Sequence, residues 1–339
     1  LSVTTQAGTQ RPPPNLKDPT MTTAKYRHAL PQMTGTPCLT DGGLETTLVF
    51  HDGFDLPLFA AFPLLETGAG RDAMDRYIRR FCQIAVRDGK GFILDTPTWR
   101  ASSRWGEELG YSTDALKAVH ARAIEDLAGY RAEFETPTSP FVINGLIGPQ
   151  DDGYNPQSFL SVDGAKHYHA DQVAWFKDFG ADMVSALTLT YASEAAGIAL
   201  AAKEAGMPCV LSFTVETDGR LPSGQTLAAA IEEVDEVTGV WPAYYMINCA
   251  HPDHFINELR GDGAWKNRIM GLRANASRMS HEELDNAQEL DEGNPAELGT
   301  QYKTMTALLP NLTVMGGCCG TDHKHIDAIS AACRHARAA

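Results

Sequence analysis

From residue 37 onward the chain alternates short, almost continuously apolar runs with longer segments of helical periodicity, and it does so eight times. The strand candidates are residues 37–41, 91–96, 141–148, 182–188, 208–215, 243–249, 268–274 and 312–317. Helical patterns fall around 71–88, 114–134, 163–179, 192–205, 226–238, 252–259, 295–309 and 322–336. Pro, Gly, Asp and Asn punctuate the joints. A strand that is apolar along its whole length is buried on both faces, and crossover helices between such strands imply a parallel sheet. Eight such units predict an α/β fold, a single (β/α)8 TIM-type barrel with its chemistry at the C-terminal mouth of the strands. The rival is an open, doubly wound sheet. That fold carries a Gly-rich dinucleotide loop after its first strand, and Asp41-Gly42-Gly43 is too short to count as one.

The barrel domain is assigned residues 31–339, and residues 1–30 are expected to form a disordered extension. The first twenty residues are polar and Pro-rich with no apolar h-region, so they do not read as a signal peptide, and Met21 is a candidate start. A net charge of -15 argues against nucleic acid or an anionic membrane as partner, because both need a basic face. No apolar stretch approaches the ~20 residues that span a bilayer. The seven cysteines are odd in number and scattered, which is not the disulfide framework of a small secreted domain. A reducing cytoplasm is the expected compartment. Cys82 and Cys209 lie inside apolar patterns and read as small buried hydrophobes.

Three other cysteines sit where a barrel places chemistry. Cys249 ends the run AYYMINCA (243–250), and Cys318-Cys319 follow the run LTVMGG in LTVMGGCCG (312–320). A barrel brings Asp41, Thr96, Asn144, Leu187, Cys249 and Cys318 to one mouth, and strands six and eight stand two apart in the ring. Three thiolates from two strand ends can hold Zn2+ and leave a fourth position open, the mark of a catalytic site. Three thiolates also leave the site with a net negative charge, which weakens the metal as a Lewis acid. Such a site suits a thiol substrate, kept deprotonated and nucleophilic at neutral pH, and the natural reaction is alkyl transfer to sulfur. Cys249 alone would read as a core residue. The glycines flanking Cys318 and Cys319 favour a tight turn that aims both sulfurs at one point. A vicinal disulfide between these two is strained, since disulfides prefer Cα separations above ~4.4 Å. His251, His254, His323 or His325 as a fourth ligand would make the site structural instead.

The stretches TDGGLETTL (40–48), DTPTWRAS (95–102), SFTVETDGRLPSGQTLAAAI (212–231), INCAHPDHF (247–255) and VMGGCCGTDHKHI (314–326) resemble the homocysteine S-methyltransferase family, including its S-methylmethionine- and betaine-using members. The resemblance implies a cytoplasmic zinc enzyme of methionine biosynthesis in which homocysteine thiolate attacks a methyl donor. Cys249, Cys318 and Cys319 would be the zinc ligands and catalytic centre. Asp41, Gly42 and Gly43 would fix the amino and carboxylate groups of the substrate, Thr96 and Thr98 would touch the carboxylate, and Asn248 would orient a ligand or the substrate. Two departures stand out. Many members carry a Glu for the substrate ammonium after the fourth strand, where this chain has Leu187; Glu194 is a distant substitute. The seventh-strand segment GLRANASRMS (271–280) lacks the common Pro-Asn pattern, with Asn275 available for part of that role.

The partners expected are thus small molecules, a thiol acceptor and an onium methyl donor such as S-methylmethionine, S-adenosylmethionine or a betaine. Cationic methyl groups are held against aromatic faces, for which Trp99, Tyr154, Tyr191, Trp241, Tyr244 and Tyr245 are candidates. Residues 278–298 read as a solvated acidic insert, with a lid over the mouth as the other expectation. The alternatives to homocysteine methylation are the same zinc chemistry on another thiol or selenol, and a non-catalytic zinc-storing or redox-sensing barrel.

Overall fold

The computed structural model describes residues 23–333. Eight strands, β1 (Cys38–Leu39), β2 (Gly91–Asp95), β3 (Phe141–Ile147), β4 (Met183–Leu189), β5 (Cys209–Phe213), β6 (Tyr244–Asn248), β7 (Ile269–Ala274) and β8 (Val314–Gly317), close into one barrel in sequence order. Every neighbouring pair is parallel, and β1 completes the ring against β8 with Leu39 opposite Met315. The outer ring comprises α1 (Gly68–Arg87), α2 (Thr113–Phe134), α3 (Val162–Phe179), α4 (Ala192–Ala205), α5 (Leu227–Thr238), α6 (Pro252–Arg260), α7 (Pro295–Leu308) and α8 (His323–Ala332). The (β/α)8 architecture expected from the alternation is therefore the one formed. The part of the eighth helical pattern beyond residue 333 lies outside the described residues.

Helix boundaries follow from local chemistry. Thr67, Ser112, Ser161 and Thr226 each accept a backbone N–H of the first turn with the side-chain oxygen, and Gly180, Gly206 and Gly239 end helices in the left-handed conformation. Strand residues divide between two cores by alternation. Ile93, Val142, Leu146, Met183, Leu187, Val210 and Met246 fill the barrel interior, whereas Phe92, Phe141, Ile143, Leu211 and Ile247 pack outward with the helices. Among the described residues no helix is long and apolar enough to cross a membrane.

The bottom of the barrel corrects part of the expected extension. Residues 1–22 lie outside the described residues, but residues 23–30 are placed against the barrel floor. The reason is Asp182, fully buried just before β4. Its Oδ1 accepts the backbone N–H groups of Lys25 and Tyr26 at 2.6 and 2.7 Å, and its Oδ2 accepts Arg131 Nη1 at 2.7 Å and the Ile143 N–H at 2.9 Å. Leu30 joins the interior core and Gln32 reaches the Tyr244 hydroxyl, so the segment plugs the ring. Removing a buried charge's partner leaves the other charge uncompensated. Asp182→Ala is expected to destabilise the protein by about 3–5 kcal/mol, read by urea unfolding; a loss below about 1 kcal/mol would show that the anchor carries no weight.

Candidate active site

The loops after β1 and β8 pass each other backbone to backbone, and their glycines make this possible. A Cβ on Gly43 would stand 2.7 Å from the Cys318 carbonyl oxygen, and one on Gly317 would stand 2.0 Å from Thr321 Oγ1. The Gly317 N–H donates to the Asp41 carbonyl at 2.9 Å and the Gly43 N–H to the Thr321 carbonyl at 3.0 Å. That use of Gly43 differs from the expected one: its amide is committed within the protein rather than free for a carboxylate. From β6, Cys249 leaves the strand in the left-handed region at φ 52°. Its N–H donates to Arg273, and its carbonyl faces His281 Nε2 at 2.9 Å, which holds this unusual turn from both sides.

The three sulfurs of Cys249, Cys318 and Cys319 lie within 4.8 Å of one another. Cys249 and Cys318 are joined as a disulfide across a Cα separation of 5.3 Å, and Cys319 is free. The bond thus spans two strands, not the adjacent pair. Burial pushes the Cys319 thiol up to about 11, partly opposed by the Tyr154 hydroxyl, which lies 3.6 Å from its sulfur. The Tyr154 ring stacks on His281 at 3.9 Å. Asn248 is held from three directions: Oδ1 accepts the Thr188 N–H and Ser212 Oγ, while Nδ2 donates to Thr188 Oγ1. This fixes Nδ2 4.0 Å from the Cys318 sulfur, and Thr188 Oγ1 3.8 Å from that of Cys249. None of His251, His254, His323 and His325 joins the sulfur group. His251 caps α6, and His325 bonds Asp322 and the Glu292 carbonyl.

The sulfurs open onto a cavity of about 500 Å³, a size typical of small-molecule sites. Asp41, Gly42, Gly43, Thr96, Asn248 and the cysteines all line it, and Thr98 stands behind Thr96. The two threonine hydroxyls are 2.6 Å apart and engage the Leu146 backbone, with Thr96 accepting its N–H and Thr98 donating to its carbonyl. Asp41 is not an isolated anion. Arg273 Nη2 donates to it at 2.5 Å and the Tyr77 hydroxyl at 3.1 Å; the other arm of Arg273 pairs with Asp95, and its Nε donates to the Gly317 carbonyl. Burial pushes Asp41 up to about 6, against the pull of Arg273.

Leu187 is on the cavity wall and 5% exposed, so the cavity is apolar at that place. Glu194 does not replace it. Its carboxylate is fully buried elsewhere, 3.0 Å from His169 Nε2 and accepting the Gln150 N–H at 2.7 Å. Asn275 bonds the Tyr154 hydroxyl and so acts one layer behind the sulfurs. Of the six aromatic candidates only Trp99 and Tyr154 reach the cavity. Tyr191 accepts the Leu160 N–H, Tyr244 faces Gln32 at the floor, Tyr245 donates to Asp235, and Trp241 lies under Lys203. The 278–298 segment is more than a solvated insert: Leu284 of the short helix His281–Asp285, whose start Ser280 and Glu283 cap reciprocally, and Ala287 and Leu290 after it line the cavity.

Sequence reasoning missed Arg273, Asp95 and Tyr154's contact with Cys319. A charged residue inside the otherwise apolar run IMGLRA (269–274) was the available signal for Arg273. Nothing local marks the Tyr154 contact, which joins the third and eighth βα loops.

Comparison with known proteins agrees with this architecture. Residues 38–333 match the model of the family described as homocysteine S-methyltransferase. Two solved structures of the homocysteine methyltransferase MmuM from Escherichia coli share the fold. Its oxidized form superposes with a TM-score of 0.67 at 20% identity, covering 87% of this chain and 95% of that one. Its metallated form gives 0.66 at 18% identity, covering 88% and 97%. No curated protein matches the chain by sequence. With the family match spanning every strand and the barrel closed around a cysteine-bearing mouth, this chain belongs to the homocysteine S-methyltransferase family and is a methyltransferase.

Proposed function

We propose that this enzyme moves a methyl group from a small onium donor to the thiol of homocysteine, giving methionine, with Cys249, Cys318 and Cys319 holding Zn2+. The observation that carries the reading is the group of three sulfurs within 4.8 Å of one another at the mouth of the barrel. Three soft donors with no histidine or carboxylate among them suit zinc and leave one position for a substrate sulfur. Serving as ligands requires the Cys249–Cys318 bond to be reduced by two electrons, which frees both thiols. Zinc, when bound, would supply the positive charge that keeps the acceptor thiol deprotonated near neutral pH.

The chain's own residues do the rest. Asn248 and Thr188 direct N–H and O–H donors at the sulfurs of Cys318 and Cys249, and Tyr154 does so at Cys319. Hydrogen bonds to ligand atoms fix their orientation and temper their basicity. Trp99 and Tyr154, with one face covered by Arg100 and His281 respectively, line the cavity and are the rings available to a cationic donor, be it S-methylmethionine, S-adenosylmethionine or a betaine. The covering segment around Leu284–Asp291 keeps water from competing for the methyl group. A new S–CH3 bond forms as the donor's C–S or C–N bond breaks, and the donor leaves as a neutral thioether or tertiary amine. The thiol proton is lost to solvent.

The test is calorimetric titration of L-homocysteine into reduced, zinc-loaded protein beside the zinc-free and the oxidised forms. Binding with proton release is expected in the first alone. Equal binding in all three would sink the metal-thiolate reading. Leu187 favours a second reading, another thiol or selenol without an ammonium group. Its signature would be a zinc-loaded protein that binds such a thiol and ignores homocysteine.

A further inference from the structure

If homocysteine is the acceptor, as proposed above, its ammonium group must meet a carboxylate, because an unpaired cation in a partly dry cavity is costly. Leu187 supplies none. The acidic residues on the cavity can be taken one by one. Asp41 and Asp95 clamp Arg273 between them. Asp152 pairs with Arg100 at 3.2 Å and accepts the N–H groups of Tyr154 and Asn155. Asp55, Asp285, Glu289 and Asp291 are exposed at the rim or on the covering segment.

Glu45 remains. It stands on the one-turn helix Leu44–Thr46, directly after Asp41-Gly42-Gly43, lines the cavity and is partly buried. Among the described residues no other side chain or backbone group bonds its carboxylate; the one hydrogen bond it receives is from its own backbone. Asp41, Arg273 and Arg100, which line the same cavity, all act on its charge. Burial pushes it up to about 7, with Arg273 and Arg100 pulling the other way without bonding it.

We infer that Glu45 binds the ammonium group of the acceptor amino acid, providing from the first βα loop the charge that Leu187 cannot provide from the fourth. Asp41 and Asp95 share the one cation Arg273 and Asp152 faces Arg100, whereas Glu45 has no ion-pair partner among the described residues, and an ammonium group beside it favours its charged form. A charge-assisted N–H to carboxylate bond there also sets where the acceptor sulfur points. Glu45 is thus a specificity residue: it distinguishes an α-amino thiol from a simple thiol of the same length.

The experiment compares L-homocysteine with 4-mercaptobutyrate, which lacks the amino group, on zinc-loaded wild type, Glu45→Gln, and Glu45→Gln combined with Leu187→Glu. Wild type should prefer homocysteine. Glu45→Gln should lose homocysteine affinity by about tenfold or more while keeping its zinc and its affinity for 4-mercaptobutyrate, and adding Leu187→Glu should restore the preference. Unchanged homocysteine affinity in Glu45→Gln, or an equal loss for both thiols, would overturn the assignment. The wild type alone also decides: binding both thiols equally well removes the role of Glu45 and leaves the thiol-acceptor reading standing. Binding neither thiol while holding zinc overturns that reading and this inference together.

Discussion

Alanine at Cys318 or at Cys319 is expected to abolish metal binding and methyl transfer, each substitution acting alone. The two sulfurs and that of Cys249 lie within 4.8 Å of one another, and no histidine or carboxylate among the described residues joins them. Loss of one sulfur leaves two donors, short of the three that a catalytic zinc site keeps. The folded protein should survive the change. Cys319 is only partly buried, and in reduced protein, where no Cys249–Cys318 bond is at stake, a cysteine-to-alanine change removes one atom from a loop already held by backbone bonds to Ala274 and Thr321. A melting temperature of the reduced, metal-free protein close to that of reduced wild type, with metal content and turnover near zero, is the expected result. Metal analysis and a methionine-formation assay on the same preparations check it. Full turnover in either variant would end the three-thiolate mechanism.

Arg273→Met is expected to cost about 3–5 kcal/mol of stability, with the loss larger at alkaline than at acid pH. Arg273 is 5% exposed and holds Asp41 and Asp95 on its two arms. Taking the cation away leaves two buried carboxylates facing one space, which can persist only by taking up protons. Asp41 already stands at about 6 with Arg273 present, and removing that pull moves it further up. A carboxylate with a folded-state value above its unfolded value binds protons more tightly when folded. It therefore favours the fold at low pH, and that contribution is lost as pH rises from about 4 through the folded value. Urea unfolding at about pH 5 and about pH 8 should show the gap between variant and wild type widening with pH. A gap independent of pH would mean that the Asp41–Arg273–Asp95 array is not what the substitution disturbs.

The barrel was legible because its strands are buried on both faces, so each announces itself by composition alone. All eight strands fall within two residues of their expected limits at both ends. β1 is the shortest, Cys38–Leu39 against an expected 37–41, because the chain beyond Thr40 turns to pack its glycines under the Cys318 loop. The cysteines were legible as unusual residues at strand ends. What they touch was not. Tyr154, His281 and Arg273 reach the mouth through the third and seventh units, and their pairing depends on register around the ring, which no local pattern encodes. Glu194 shows the opposite case. Its position in the sequence made it a candidate, and burial beside His169 removed it from the mouth.

The passage of the Gly42-Gly43 loop beneath the Cys318 loop has a consequence for synthesis. These loops belong to the first and last units of the ring, and they can meet only once β8 has closed against β1. A chain emerging from the ribosome carries Cys249 well before Cys318 and Cys319 are made. On the metal-thiolate reading proposed above, no triad can capture metal until the eighth unit is released, so the birth of the site would coincide with completion of the fold.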